Sequence, residues 1–248
     1  MAAADLIDTT EMYLKTIFEL EEDGVVPMRA RIVERLGHSG PTVSQTIARM
    51  EGHDLVTVCE DRRLAFTEQG RHLAEEVMRK HRLAECLLIS VIGLDWVSAH
   101  DEACRWEHVM SDDVEERLVT LLDNPERDPY GNAVPGSGGT PGVGISVEDA
   151  LANLGAPGGS PGKVQDQVEG VLLRIGEPIQ AERSALEALS EEGVFPGSVV
   201  AAKAVPGGFQ IWRISPTEAS GEVNGSQNVV TLSSLFSPHL FLEIPKEK

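Results

Sequence analysis

Residues 27–53 read PMRARIVERLGHSGPTVSQTIARMEGH, and the reading of this stretch decides the fold. Pro27 opens a short helical segment over 27–36 in which Ile32, Val33 and Leu36 turn inward. Gly37-His38-Ser39-Gly40-Pro41 interrupts it; Ser39 is a natural helix cap and Pro41 suits a first helical turn. A second helix follows from Thr42 to about His53, with Val43, Ile47 and Met50 on one face and Ser44, Gln45 and Arg49 on the other. Helix, short glycine turn, helix is the helix-turn-helix pattern. Gln is a good adenine reader, and Ser and Thr reach bases or phosphates. The competing reading of that polar face is plain solvation.

The flanking residues decide between the two. Leu55–Cys59 and Leu64–Thr67 are β-rich runs around Glu60-Asp61-Arg62-Arg63, which predicts a hairpin with two arginines at its tip. Helix-turn-helix plus hairpin is a winged helix, with Arg62 and Arg63 placed for phosphate. Upstream, residues 5–22 predict an amphipathic helix capped by Asp8 or Thr9, carrying Met12, Leu14, Ile17, Phe18 and Leu20 on its apolar stripe and closed by Gly24. On pattern alone Met12 is a core residue. The chain is strongly acidic, with a formal net charge of −19. Its distribution matters more than its sum: residues 25–50 carry Arg29, Arg31, Arg35 and Arg49 against Glu34 alone. A basic island in an acidic chain predicts weak non-specific DNA binding with a strong salt dependence.

A second stretch carries a different chemistry. His100-Asp-Glu-Ala-Cys104-Arg-Trp-Glu107-His108 sets two imidazoles, a thiol and a carboxylate within one segment. On a helix predicted over Val97–Met110 the four donors share an arc of roughly 100°, which gives one face of N, S and O ligands for a transition metal. A buried polar seam in which His and Glu satisfy each other is the alternative. His81 and Glu85, at i, i+4 on the preceding helix, favour the metal. That helix runs from Thr67 to about Gly93, and Leu73, Val77, Leu83, Leu87, Leu88 and Val91 are too apolar for a solvated surface, which predicts a dimer interface. Ser111 caps a further helix through Leu121.

Residues 123–162 are rich in Gly and Pro and read as loop, with a linker over 136–145 and a short helix at 147–153. Beyond them, β-rich runs at Lys163–Leu173, Ser198–Ala204, Gly208–Ile214, Asn228–Leu232 and Leu240–Ile244, with one helix near Ser184–Glu192, predict a small β-barrel. No apolar run approaches the roughly 20 residues of a membrane span, and the N-terminal stretch lacks a basic signal region. Cys59, Cys86 and Cys104 are odd in number and widely spaced, which points to a reducing, cytoplasmic setting.

Taken in order, the strings DTTEMYL, RARI-x-ERL, SGPTVSQT, ARME, VMRKHRLAE and HDEACRWEHVMSD resemble the iron-dependent repressors of the diphtheria toxin repressor family, continuously from about residue 5 to Gly136. The resemblance implies a mainly α protein with a C-terminal β domain: a winged helix-turn-helix DNA-binding domain (1–75), a helical dimerisation and metal-binding domain (76–136), a flexible Gly/Pro linker (137–146) and an SH3-like domain (147–248). Carried over by position, it implies a regulatory metal site of Met12, Cys104, Glu107 and His108. It implies an ancillary site of His81, Glu85 and His100, completed by Glu177 and Gln180 of the third domain. DNA contacts are implied for Ser39, Pro41, Thr42, Ser44, Gln45 and Arg49, with Arg29, Arg31 and Arg62 on phosphate. Three departures stand out: Gly52 where relatives often carry a basic residue, Asp128 where a small hydroxyl residue would help Arg82 and Asn132 hold an anion, and Cys59 in the wing.

Thioether and thiolate donors with His and Glu suit Fe2+, with Co2+, Ni2+, Mn2+, Zn2+ and Cd2+ as substitutes in vitro; a purely O/N set would suit manganese better. Met12 lies on the first helix, far in sequence from Cys104, Glu107 and His108, so a metal joining them pins the DNA reader to the dimer core. The function expected is an Fe2+-activated repressor of iron uptake and homeostasis genes, a homodimer on double-stranded operator DNA with one or two dimers per operator. A manganese-responsive regulator, a metalloenzyme and a structural zinc protein are the alternatives. Against an enzyme stand the missing nucleophile–base pair and the absence of an HExxH helix.

Overall fold

The computed structural model describes residues 3–139, 144–154, 166–214 and 229–245. The chain divides into two units. Unit 1 comprises residues up to Gly93, Asp101–Asp128 and Ala133–Gly139; unit 2 comprises Leu94–His100, Pro129–Asn132 and the residues from Thr140 onward.

Unit 1 opens with α1, Ala3–Glu22. It begins earlier than expected, so Asp8 and Thr9 lie inside the helix rather than capping it. Tyr13, Leu14, Ile17 and Leu20 of α1 are buried in one apolar cluster with Ile32 of α2 (Arg29–Leu36), Val43, Ile47 and Met50 of α3 (Gly40–Gly52), and Leu55, Val56, Leu64 and Ala74. Met12 packs on the edge of this cluster, half-buried. Gly37 terminates α2 with φ 65°, a left-handed conformation that costs glycine nothing. Ser39 caps α3 through Thr42 N at 3.3 Å, and Pro41 sits in the first turn. The hairpin follows as β1 (Val56–Val58) against β2 (Leu64–Phe66), antiparallel, with Val56 opposite Phe66.

The helix α4, Glu68–Leu87, is capped by Thr67, whose Oγ1 accepts from Gly70 N at 3.0 Å. A π-helical turn, Leu88–Ile92, ends at Gly93 with φ 77°. The helix α5 is Trp96–Trp106, shorter than the Val97–Met110 expected. Glu107 N still bonds to Ala103 O at 3.0 Å, but Val109 N and Met110 N both return to Trp106 O, so Glu107 and His108 stand in a turn rather than on a regular helical face. Ser111 then occupies the N-cap of α6 (Asp112–Leu121) with capping backbone angles but no side-chain bond.

Unit 2 is built on an antiparallel six-stranded sheet in the order β3-β8-β4-β5-β6-β7. Its strands are β3 (Ile145–Ser146), β4 (Val168–Ile175), β5 (Val199–Val205), β6 (Gly208–Arg213), β7 (Val230–Ser233) and β8 (Leu240–Glu243). Ile145 and Ser146, read from the sequence as the end of the linker, pair with Leu242 and Phe241 instead. The helices are α7 (Val147–Leu154), α8 (Glu177–Gln180) and α9 (Arg183–Glu191). Leu172, Ile175, Ile179, Leu186, Leu189, Val200, Phe209, Ile211, Leu240 and Leu242 are buried together with Val97 and Tyr130. Trp96 joins them at the edge: its ring centroid lies 5.0 Å from those of Tyr130, tilted, and Phe195, edge-on, and its carbonyl accepts from Tyr130 Oη at 2.6 Å. Residues 140–143 and 155–165, and Asn228, where linker, loop and strand ends were expected, lie outside the described residues.

Candidate metal centre and nucleic-acid interface

In α3 the alternation expected from the sequence is present: Val43, Thr46, Ile47 and Met50 are buried, while Ser39, Pro41, Thr42, Ser44 and Gln45 are exposed and Arg49 is half-buried. Ser39 Oγ and Thr42 Oγ1 are 2.7 Å apart, so both hydroxyls are fixed at the start of the helix. Arg31 is exposed beside Glu34 at 2.8 Å, and Arg29 is half-buried. At the wing tip Arg62 is exposed with φ 67°. Its N–H bonds to Cys59 O at 2.9 Å, closing a tight hairpin loop whose left-handed position usually takes glycine. An arginine held there against its backbone preference stands exposed at the hairpin tip.

The α1 helix links this reader to the donor cluster. Tyr13 Oη and His38 Nδ1 are 2.9 Å apart, joining α1 to the turn just ahead of α3. Two positions before Tyr13, Glu11 Oε2 accepts from His108 Nδ1 at 2.6 Å. That contact leaves His108 Nε2 facing Glu107 Oε1 at 3.4 Å. A carboxylate on one imidazole nitrogen and the other nitrogen aimed inward is the usual second-sphere support of a metal-binding histidine. Glu107 itself is buried, with 4% of its surface exposed. Lys15 Nζ donates to Glu107 Oε2 at 2.9 Å and lies 3.5 Å from Cys104 Sγ. Lys15 therefore bridges Cys104 and Glu107, and His108 adjoins Glu107; Cys104, Glu107 and His108 do not bring one ligand atom each within 4.8 Å of one another, but the Cys104–Glu107 pair already holds a positive charge. Burial alone would raise the Glu107 pKa, but the nearby charges of Lys15 and His81 outweigh it and hold the carboxyl at about 2.

His81 and Glu85 are both fully buried on α4, with Nε2 and Oε1 2.8 Å apart. On its other side His81 Nδ1 lies 2.5 Å from Glu107 Oε2 and 3.0 Å from Lys15 Nζ. One ring nitrogen cannot donate to a carboxylate and accept from an ammonium at once; the shorter separation assigns the proton to the Glu107 bond, leaving Lys15 as a neighbouring cation. The sequence reading had set His81 and Glu107 in separate sites, and in the structure they touch. Sequence reasoning also missed Glu11 and Lys15, because a lone charge on an amphipathic helix reads as solvated.

In unit 2, His100 Nδ1 lies 3.4 Å from Glu177 Oε2, both groups buried. Gln180, 2% exposed, donates from Nε2 to Ile175 O at 2.7 Å. That bond fixes the amide orientation and leaves Oε1 buried with no hydrogen-bond partner. A buried acceptor of this kind costs stability unless a cation or donor meets it. These donors therefore fit a bound metal ion. Cys86 does not join them: its thiol reaches Arg127 O at 3.6 Å, and burial pushes its pKa well above the ordinary thiol range.

A helix-turn-helix bearing a two-stranded wing defines unit 1 as a winged-helix nucleic-acid-binding fold, here continued by helices rich in His, Cys and Glu. Residues 5–64 match the iron dependent repressor N-terminal DNA binding domain, and residues 67–136 match the iron dependent repressor metal binding and dimerisation domain. The chain is 51% identical over 207 residues to the iron-dependent repressor IdeR of Mycobacterium tuberculosis, covering 82% of this chain and 87% of that one. It is 52% identical over 200 residues to the diphtheria toxin repressor of Corynebacterium diphtheriae, covering 79% and 84%. The solved structure of the manganese regulator SloR superposes with a TM-score of 0.67 at 25% identity, covering 95% of this chain and 98% of that one. The chain belongs to the iron-dependent repressor family.

Proposed function

We propose that this protein is a metal-responsive transcriptional repressor whose co-repressor is Fe2+, acting in the cytoplasm on operators of iron uptake and homeostasis genes. The observation that carries the proposal is the double attachment of α1: Glu11 and Lys15 engage His108 and Glu107, and Tyr13 engages the turn before the recognition helix. Met12 lies between these attachments. A metal taken by Met12, Cys104, Glu107 and His108 would supply a bond network stiffer than the hydrogen bonds. The chain's own residues then hold α1, and through Tyr13 and His38 the start of α3, at one setting. Two recognition helices must fall about 34 Å apart to enter successive major grooves, so the setting of α1 that metal fixes favours DNA and another setting does not.

The soft donors Met12 and Cys104 favour iron over manganese. For the ancillary site, the proposal carries over His81, Glu85, His100, Glu177 and Gln180 by their positions in the sequence. DNA contacts are assigned to the exposed α3 residues and Arg49, with Arg29, Arg31 and Arg62 on phosphate. The proposed division is a DNA reader (1–75), a dimerisation and metal domain (76–136), and a third domain that begins at Ile145, where β3 does. The homodimer reading is supported by exposed Val114 and Leu121 on α6, at 46% and 61%. No described helix is long and apolar enough to cross a membrane. The proposed role is regulatory rather than catalytic.

The test is selection of duplex DNA from a random pool under anaerobic conditions, with Fe2+ and with chelator. The proposal expects one sequence class enriched only with Fe2+. Chelator-insensitive enrichment would favour a structural metal, and no enrichment under either condition would refute the DNA reading.

A further inference from the structure

The donor cluster of unit 1 already holds a cation of its own. Lys15 Nζ lies 2.9 Å from Glu107 Oε2, 3.5 Å from Cys104 Sγ and 3.0 Å from His81 Nδ1. The Lys15 and Glu107 side chains are only 8% and 3% accessible. Lysine is rarely buried this deeply, and a buried ion pair is often no more stabilising than an apolar pair of the same size. Packing therefore does not explain an ammonium here; the donors around it do. Met12, three positions earlier on α1, shares its helix face.

We propose that Lys15 is the resident counter-cation of the regulatory donor set, displaced when metal binds, and that it thereby sets the metal concentration at which the protein responds. This rests on the reading above that Cys104 and Glu107 are metal ligands. A divalent ion bonded to those atoms sits about 2.0–2.3 Å from each. The same sulfur and oxygen contact the ammonium. Two cations on one sulfur–oxygen pair, its carboxylate buried, repel strongly, so occupancy by one disfavours the other. Lysine suits the role because it is a compact charge on a flexible stem, able to withdraw by side-chain rotation; a planar arginine fork would grip the carboxylate in two places. Without metal, α1 is tied to Glu107 through Lys15; with metal, the tie passes to Met12, one turn earlier. The switch is an exchange of ties at two positions of one helix, giving two discrete states rather than a bound and a loose one.

The experiment titrates full-length wild type, Lys15→Gln and Lys15→Arg anaerobically with Co2+ against a chromophoric chelator. It follows the thiolate-to-cobalt absorption band, and thermal melting of the chelator-treated proteins is measured alongside. Lys15→Gln is expected to bind Co2+ on the order of tenfold more tightly, and its metal-free form to melt below wild type. Lys15→Arg is expected to bind no more tightly than wild type. Equal or weaker binding by Lys15→Gln at wild-type stoichiometry overturns the proposal. If Lys15→Gln does not fold, Lys15→Met, which keeps the stem volume, is judged by the same criterion. Absence of the thiolate–cobalt band in wild type would instead sink the metal-centre reading, so the two failures are distinguishable.

Discussion

Tyr13 Oη and His38 Nδ1 meet at 2.9 Å, and this bond joins the helix that carries Met12 to the turn from which the recognition helix starts. Tyr13 has no accessible surface, and its aromatic ring lies 5.8 Å from the imidazole. A displacement of α1 would thus reach the start of α3 directly through this part-buried contact.

Removing that bond should separate sensing from response. Tyr13→Phe keeps the ring and loses the hydroxyl, at about 1 kcal/mol of stability. Metal affinity by chelator competition is expected to stay at the wild-type value. DNA affinity at saturating Fe2+, read by fluorescence anisotropy, is expected to fall by roughly a factor of five, the equivalent of one such bond. Equal DNA affinity in the two proteins would show that α1 does not act through His38.

Arg62 occupies a left-handed position, φ 67°, that glycine fills more easily. Arg62→Gly should therefore melt at or slightly above the wild-type temperature, with a gain of up to about 1 kcal/mol. Its DNA affinity should drop uniformly across sequences, and the salt slope should lessen by about one unit if the guanidinium meets a phosphate. An unchanged slope would remove Arg62 from the interface.

Arg82 is fully buried and held by three groups of unit 1. Glu22 takes two of its nitrogens, at 3.0 and 2.6 Å, the Ala133 carbonyl accepts at 2.6 Å, and Asp128 lies 3.6 Å from Nε. With its own carboxylates around the guanidinium, wild type should show no stabilisation by millimolar sulfate in thermal melts. Asp128→Ser removes one of them and should gain a sulfate-dependent rise in Tm. A sulfate-dependent rise in wild type would mean that Asp128 does not replace an external anion.

Glu107 supplies a pH dependence to the metal-free protein. Its carboxyl titrates at about 2 in the folded state against 4.5 in the unfolded chain. Because the folded value is the lower one, the associated stability is complete above pH 4.5 and is lost as pH falls toward 2. The full contribution is about 3 kcal/mol. Glu107→Gln should flatten this acid limb in chelator-treated protein followed by circular dichroism. An acid limb identical to wild type would mean that Lys15 and His81 do not stabilise the Glu107 carboxylate.

The winged helix was legible because its punctuation is chemical: Gly37, Ser39 and Pro41 mark a turn, a cap and a first helical turn, and each performs that role. The end of α5 was not legible. Arg105-Trp106-Glu107-His108-Val109 contains no helix breaker, and the chain leaves the helix where Lys15 and Glu11 hold Glu107 and His108. Candidate donors on α4 and in the 100–108 stretch could be proposed from their types and spacing, but their contacts could not. The contacts His81–Glu107 and Lys15–Glu107 join positions far apart in sequence, and periodicity is blind to them. Likewise β3 is only Ile145–Ser146, too short to alternate, and it exists because β8 offers an edge.

The central claim is that a metal held partly by Met12 couples α1 to DNA binding. Its most direct test is Met12→Ala: DNA affinity measured against Fe2+ concentration under anaerobic conditions, beside wild type and with fold and dimer checked by circular dichroism and ultracentrifugation. The account predicts an intact, dimeric protein whose DNA binding no longer tightens with Fe2+. A folded Met12→Ala dimer that still binds DNA tightly, with the wild-type dependence on Fe2+, would contradict it.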